Sequence, residues 1–289
     1  VKAGATGEYR LSVGDAVVAL HNPESELIAA MTKYFEAASA QAAPHVRLEL
    51  ELFEAPANQA VPSSLFVTKE PHPDGGFVAA GGLLLGDYDP ESGRGTLRTG
   101  NVLVSGRNAR VFEQILYQAY YSAVRRGAGG GTLLHAAAVV RDGAGFLFAG
   151  SSGSGKTTLA RLCAQHTVLN DEIALVQARG GGHPWVVSTP FNGFFREKKP
   201  GAAPLRAVFL LEHGEDHRVV DPGPAAAAAA LTAQLVPPIG LEDFMSQATT
   251  AAMFDRALAT AERVPTATLR FRPDANFWSA IDDYLLRGR

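Results

Sequence analysis

Apolar and polar positions along the chain change period several times, from two to 3.6 and back, which marks alternating strands and helices. Residues 10–18 and 46–53 read as strands. In the second, Val46, Leu48, Leu50 and Leu52 alternate with Arg47, Glu49 and Glu51, giving one apolar and one charged face. Between them Leu27, Ile28, Met31, Tyr34 and Phe35 recur at helical spacing, with Asn22-Pro23 as the helix start. Residues 75–105 are rich in glycine and read as hairpins, with 86–93 as a turn or exposed loop. Val111, Phe112, Ile115, Leu116, Ala119, Ala123 and Val124 mark another amphipathic helix, and Arg125-Arg126 near its end complements the helix dipole. The glycine run at 127–131 then breaks the pattern. It is the expected boundary between a small N-terminal α+β domain, 1–130, and a second domain, 131–289.

In the second domain, 133–140 and 145–149 read as strands joined by the turn 141–145. A helix is expected over 158–164, then strands at 167–170, 173–177, 185–188 and 205–211. Residues 225–235, by composition more than pattern, and 241–261 read as helices, 264–271 as a last strand and 276–286 as a closing helix. Phe277, Trp278, Ile281, Tyr284 and Leu285 share one face of that last helix. There is no internal repeat.

The 289 residues suffice for one large or two small domains, and 46% hydrophobic with 19% charged is ordinary for a soluble globular protein. A net charge of -3 gives no general attraction to nucleic acid or anionic lipid. The single cysteine, Cys163, excludes an internal disulfide and a cysteine-based zinc cluster, and is expected to pack inside its helix. No apolar run is long enough to span a membrane, and Val1-Lys2-Ala3-Gly4 shows no signal-peptide core. The expected compartment is the cytoplasm.

The densest chemical signal is Gly150-Ser151-Ser152-Gly153-Ser154-Gly155-Lys156-Thr157-Thr158. It fits the P-loop pattern of a glycine, four free positions and then Gly-Lys-Ser/Thr. Gly150, Gly153 and Gly155 allow tight turns that bring backbone N–H groups to an anion. Lys156 can reach β- and γ-phosphates, and the Thr157 hydroxyl can sit on a magnesium ion. The apolar strand before the loop and the helix pattern after it argue against a mere Gly/Ser linker. Asn170-Asp171-Glu172 follows a short apolar strand, with Asp171 15 positions after Lys156. An acid there can hold magnesium, or the pair can simply cap a strand. His135 lies 21 residues before Lys156 on the preceding strand, and reads either as a packed core histidine or as a residue near the phosphate end.

Leu134-His135-Ala136, the loop 150–158 and the closely following Asn170-Asp171-Glu172 together resemble the core of the HPr kinase/phosphorylase group, which is related to the phosphoenolpyruvate carboxykinases. The likeness covers roughly residues 132–215. It implies an α/β fold whose P-loop core, with a mixed sheet, is of HPr kinase/carboxykinase type. It implies ATP and Mg2+ as cofactors. Lys156 would contact β/γ-phosphate and Thr157 magnesium. Asp171 would be the catalytic carboxylate and Glu172 would help with the metal. His135 would lie near the transferred phosphoryl group. The chain departs from the family in having Asp171-Glu172 where the family has Asp-Asp, and no match to its Glu-Ile-Arg-Gly segment. The expectation is therefore a divergent HPr-kinase-like serine kinase acting on a hydroxyl of a peptide, a protein or a small molecule. No nucleic acid or membrane partner is expected, and a homo-oligomer is suggested by the resemblance.

Residues 189–200 are the candidate acceptor loop. Phe191, Phe194 and Phe195 could line a pocket, and Asn192, Arg196, Lys198 and Lys199 could meet an acceptor or phosphate. The same residues also suit a solvated basic loop over packed aromatics. His183, His213 and His217 read as loop or surface residues without metal spacing. A nucleotide-binding regulatory module with weak ATPase activity is the alternative function. No Ser-Gly-Gly-Gln signature supports an ABC-type ATPase, and no Asn-Lys-x-Asp motif supports a GTPase.

Overall fold

The computed structural model describes residues 7–22, 42–56, 58–61, 69–104, 108–191 and 193–287. The chain is mixed α/β, with two mixed β-sheets and few helices. It divides into two compact units, Val1–Gly130 with Pro238–Gln247, and Gly131–Pro237 with Ala248–Arg289. The helix expected around Leu27 to Phe35 lies outside the described residues.

The first unit holds β1 (Glu8–Val13), β2 (Ala16–His21), β3 (Val46–Phe53), β4 (Glu70–Pro71), β5 (Phe77–Ala79), β6 (Leu84–Asp89) and β7 (Arg94–Gly100), in the sheet order β1-β2-β3-β7-β6-β5-β4. The single strand expected at 10–18 is two. Gly14 takes φ 58, a left-handed conformation open to a residue without Cβ, and the chain turns back so that Val13 pairs with Ala16. In β3 the alternation holds for Val46, Leu48 and Leu50, which are buried, against exposed Glu49 and Glu51. The loop expected at 86–93 shrinks to 90–93, because Gly86 pairs with Leu97 inside the sheet. A Cβ on Gly86 would lie 2.5 Å from Phe77 Cζ, so that glycine answers to strand packing and not to a turn.

Helix α1 (Ala109–Arg125) packs on β2 and β3. Beyond the predicted stripe, Tyr117, Tyr120 and Tyr121 are buried too. The arginines that end α1 do more than face its dipole. Arg126 donates to the carbonyls of His45 (2.9 Å) and Glu91 (2.6 Å), and Arg125 meets Glu242 at 2.7 Å. Lys69 Nζ donates to the carbonyls of Gly240 (2.9 Å) and Leu241 (2.6 Å), and the Leu241 N–H donates to Ser122 Oγ at 2.8 Å. These partners hold 240–243 out of a helix, so the helix expected from 241 begins only at Gln247.

The second unit contains β8 (Thr132–Arg141), β9 (Ala144–Ala149), α2 (Lys156–Leu162), β10 (Thr167–Asn170), β11 (Ile173–Arg179), β12 (His183–Val187), β13 (Ala202–His213), β14 (Arg218–Val220), α3 (Pro224–Thr232), α4 (Gln247–Arg263), β15 (Thr266–Phe271) and α5 (Phe277–Arg287). Its sheet runs β10-β8-β11-β12-β13-β15-β14, and β9 pairs with both β8 and β13. The three-residue edge strand β14 has no pattern long enough to read in the sequence. Strands β9, β13 and β15 are mutually parallel, so Ala149, His213 and Phe271 end at one edge.

Both sheet faces are covered. Ala137, Val139, Phe148, Leu159, Cys163, Phe209, Phe277 and Trp278 pack on one. Leu134, Ala136, Ala138, Leu147, Ala228 and Leu231 pack on the other. Successive side chains of a strand point to opposite faces, which puts His135 on the face of Ala137 and Val139, the one α2 covers.

Candidate functional site

Residues 150–155 connect β9 to α2 across the parallel strand ends. Two of the three glycines are demanded by close approach. A Cβ on Gly150 would lie 2.4 Å from Ser154 Oγ, and one on Gly155 would lie 2.9 Å from Phe271 Cζ. Gly153 stands in open space with φ 85. The Ser154 N–H donates to the Ser151 carbonyl at 3.1 Å, and the Gly150 N–H to the His135 carbonyl at 3.3 Å, which docks the start of the loop on β8. Ser151, Ser152 and Gly153 are exposed, as is Thr158 in the first turn of α2, whereas Gly150, Ser154 and Lys156 are buried. Lys156 Nζ donates to the carbonyls of Gly150 (2.6 Å) and Ser151 (2.9 Å).

Asp171 sits just past β10 and is 1% exposed. Its Oδ2 accepts three hydrogen bonds, from Thr157 Oγ1 at 3.0 Å and from the N–H groups of Phe194 and Phe195 at 2.9 Å each. Its Oδ1 is buried with no partner among the described residues. The chain at 193 passes so close that a Cβ there would lie 2.3 Å from Oδ1, which only glycine permits.

Asn170 organises this approach, a role the sequence reading missed. Its Nδ2 donates to Thr189 O (3.2 Å) and Oγ1 (3.1 Å), and its Oδ1 accepts the Thr189 N–H at 3.0 Å. The Thr189 hydroxyl in turn donates to Ile173 O at 2.7 Å. A fully buried amide with its hydrogen bonds met in this way fixes where residues 189–195 leave the sheet. The available signal was an asparagine closing an apolar strand.

His135 is half-buried, and its backbone lies between the loop and the 171–172 connection. Its carbonyl meets Gly150, its Cα partner is Ile173, and the next N–H, of Ala136, donates to Glu172 O at 3.1 Å. Lys156, Thr157 and Asp171 thus meet by side chain at the glycine-rich loop and the start of α2, while the His135 backbone touches the loop and the Glu172 backbone touches β8.

The proposed acceptor residues do not converge in the same way. Asn192 is outside the described residues. Lys198 donates to the carbonyls of Thr189 (3.0 Å) and Phe191 (3.1 Å), within its own loop. Arg196 and Lys199 are exposed. Phe191 and Phe195 are buried, and Phe194 is 64% exposed.

Of the three histidines read as surface residues, His183 is exposed, and His217 Nε2 lies 2.7 Å from Asp274 Oδ1. His213 is exposed too, at a strand end. It ends β13, and its Nε2 lies 2.9 Å from the Gly153 carbonyl. Among the described residues no three His, Cys, Asp or Glu side chains form a group suited to a metal ion, and no helix is long and apolar enough to cross a membrane.

The fold is therefore a mixed α/β one in which a glycine-rich loop and a buried carboxylate meet at the ends of parallel strands. The family model described as "ScmC: SynChlorMet cassette protein ScmC" matches residues 108–287, and the chain belongs to that family. No curated protein matches the chain.

Proposed function

We propose that this chain is an ATP- and magnesium-dependent kinase with a P-loop core of the HPr kinase/carboxykinase-like type. It would transfer the γ-phosphoryl group to a hydroxyl, either a serine of a peptide or protein or a small-molecule alcohol. The observation that carries this reading is the contact of the Thr157 hydroxyl with the Asp171 carboxylate at 3.0 Å, directly after the glycine-rich loop. A hydroxyl and a carboxylate side by side, with one carboxylate oxygen buried and unpartnered, suit a hard cation that takes oxygen ligands. Magnesium held partly by phosphates needs only one or two protein carboxylates, and Asp171 and Glu172 would supply them beside the Thr157 hydroxyl. When bound, it would offset charge on the phosphate oxygens.

The chain's own groups would do the rest. The N–H groups of 151–155 would receive phosphate oxygens. Lys156 would exchange its two loop carbonyls for β/γ-phosphate oxygens. Asp171 would accept the proton of the acceptor hydroxyl or orient that hydroxyl. His135, beside both the loop and the acid, would orient the transferred group. Such a sparse set is adequate where catalysis is mostly positioning and charge neutralisation. ATP use puts the expected compartment in the cytoplasm, and the resemblance adds a homo-oligomer.

The burial of Asp171 beneath the amides of Phe194 and Phe195 favours the second reading, a nucleotide-binding regulatory module. Labelled ATP, magnesium and a pool of peptides and metabolites separate the two. Acceptor-dependent label transfer that disappears in Asp171→Asn supports the kinase. Intact ATP binding without any labelled acceptor supports the regulatory module. Persistence of nucleotide-dependent stabilisation in Lys156→Ala would remove both.

A further inference from the structure

Ligand crevices in α/β sheets open at the carboxyl ends of parallel strands. Here that edge brings together the glycine-rich loop, His213 and Phe271. The His213 ring lies almost parallel to Phe271, with centroids 6.5 Å apart and planes 17° apart. Phe271 in turn fills the space beneath Gly155. The imidazole is thereby held from one side while Nε2 faces the Gly153 carbonyl at 2.9 Å. A carbonyl only accepts, so Nε2 carries the proton and donates.

The bond reaches the loop at a glycine. Gly153 is exposed, and nothing lies within 4 Å of its Cβ position. Glycine also has the most conformational freedom to lose on ordering. Two hydrogen bonds fix the plane between Gly153 and Ser154, one from His213 to its carbonyl and one from its N–H to Ser151 O. A loop ordered before its ligand arrives binds more tightly, because less entropy is lost on binding.

We propose that His213 is a positioning residue of the glycine-rich loop, which presets that loop for a polyphosphate anion by holding the Gly153 carbonyl. The proposal rests on the phosphate-binding part of the reading above and needs none of the kinase chemistry. It differs from a role in which the imidazole is a platform for a nucleobase.

Two variants and two ligands separate these roles. His213→Phe keeps a ring over Phe271 and loses the donor, and His213→Gln restores an N–H donor. Affinity for inorganic tripolyphosphate and for ATP is measured by calorimetry, and amide hydrogen exchange of 151–155 is measured without ligand. His213→Phe should speed loop exchange and weaken both ligands by the same factor, roughly tenfold, the size of one net hydrogen bond. His213→Gln should recover most of both losses. Unchanged tripolyphosphate affinity in His213→Phe overturns the proposal, and a loss confined to ATP assigns the ring to the base instead. A glutamine variant no better than phenylalanine also overturns it. If the wild-type protein binds neither anion, the phosphate reading falls and the proposed ligand with it, while the exchange comparison still reports whether His213 holds the loop.

Discussion

The Thr157 hydroxyl and Asp171 Oδ2 stand 3.0 Å apart, so one charge-assisted hydrogen bond ties the first turn of α2 to the end of β10. Thr157→Val keeps the side-chain shape and removes the donor. Hydrogen bonds to charged groups contribute about 1.5–3 kcal/mol net, so the variant should lose about that much stability, read as a lower urea midpoint. Thr157→Ser should stay close to wild type. Equal midpoints for the valine and serine variants would show that the contact contributes nothing.

Gly193→Ala places a methyl group 2.3 Å from Asp171 Oδ1 and 2.5 Å from Cγ and Oδ2 of the same carboxylate. Either the carboxylate or the loop must shift. Overpacking of this kind costs about 1–3 kcal/mol. The amides of Phe194 and Phe195, which now donate to Asp171, should exchange faster with solvent. Unaltered exchange at those two amides would mean that the approach of residue 193 is not what sets their bonds.

Much of this arrangement was legible in the sequence because it rests on local chemistry. The 150–157 motif, the strand before it and the acid after it are each set by neighbours in the chain. What was not legible depends on residues far apart. Asn170 matters through Thr189, and His213 through Gly153, contacts that no local pattern encodes. Lys198 read as a free cation because its backbone partners at 189 and 191 are invisible until the loop is folded. Gly14 and Gly86 show the same limit from the other side. One glycine made a turn within an expected strand, and the other packed within a strand where a loop was expected.

Burial lowers the Lys69 ammonium from 10.5 to about 8, against the attraction of Asp243 and Glu242. Between those two values the unfolded chain binds more protons at this site than the folded one. The contribution of Lys69 to stability therefore rises as pH climbs from about 8 to about 10.5, by at most about 3 kcal/mol. Other groups ionise in the same range, so the measurement is the difference between wild type and Lys69→Met. That difference should shift in favour of wild type across the window and stay flat below it. A flat difference throughout would contradict the burial effect.

Burial pushes the Cys163 thiol up to about 12, and the residue is fully enclosed at the end of α2. It is the only cysteine in the chain. A thiol reagent at pH 8 should leave the native protein almost unlabelled and modify one site per chain once urea unfolds it. Rapid stoichiometric labelling of the native protein would show that the helix end opens readily.

The stretch Pro238–Gln247 belongs with the first unit although both its flanks belong to the second. A ribosome that has reached only residue 130 has not yet supplied Gly240, Leu241 and Glu242, the groups that Lys69, Ser122 and Arg125 hold. Those three side chains must wait until residue 242 has emerged. A protein cut at the glycine run would separate them from their partners permanently, so neither half is a natural unit for expression on its own.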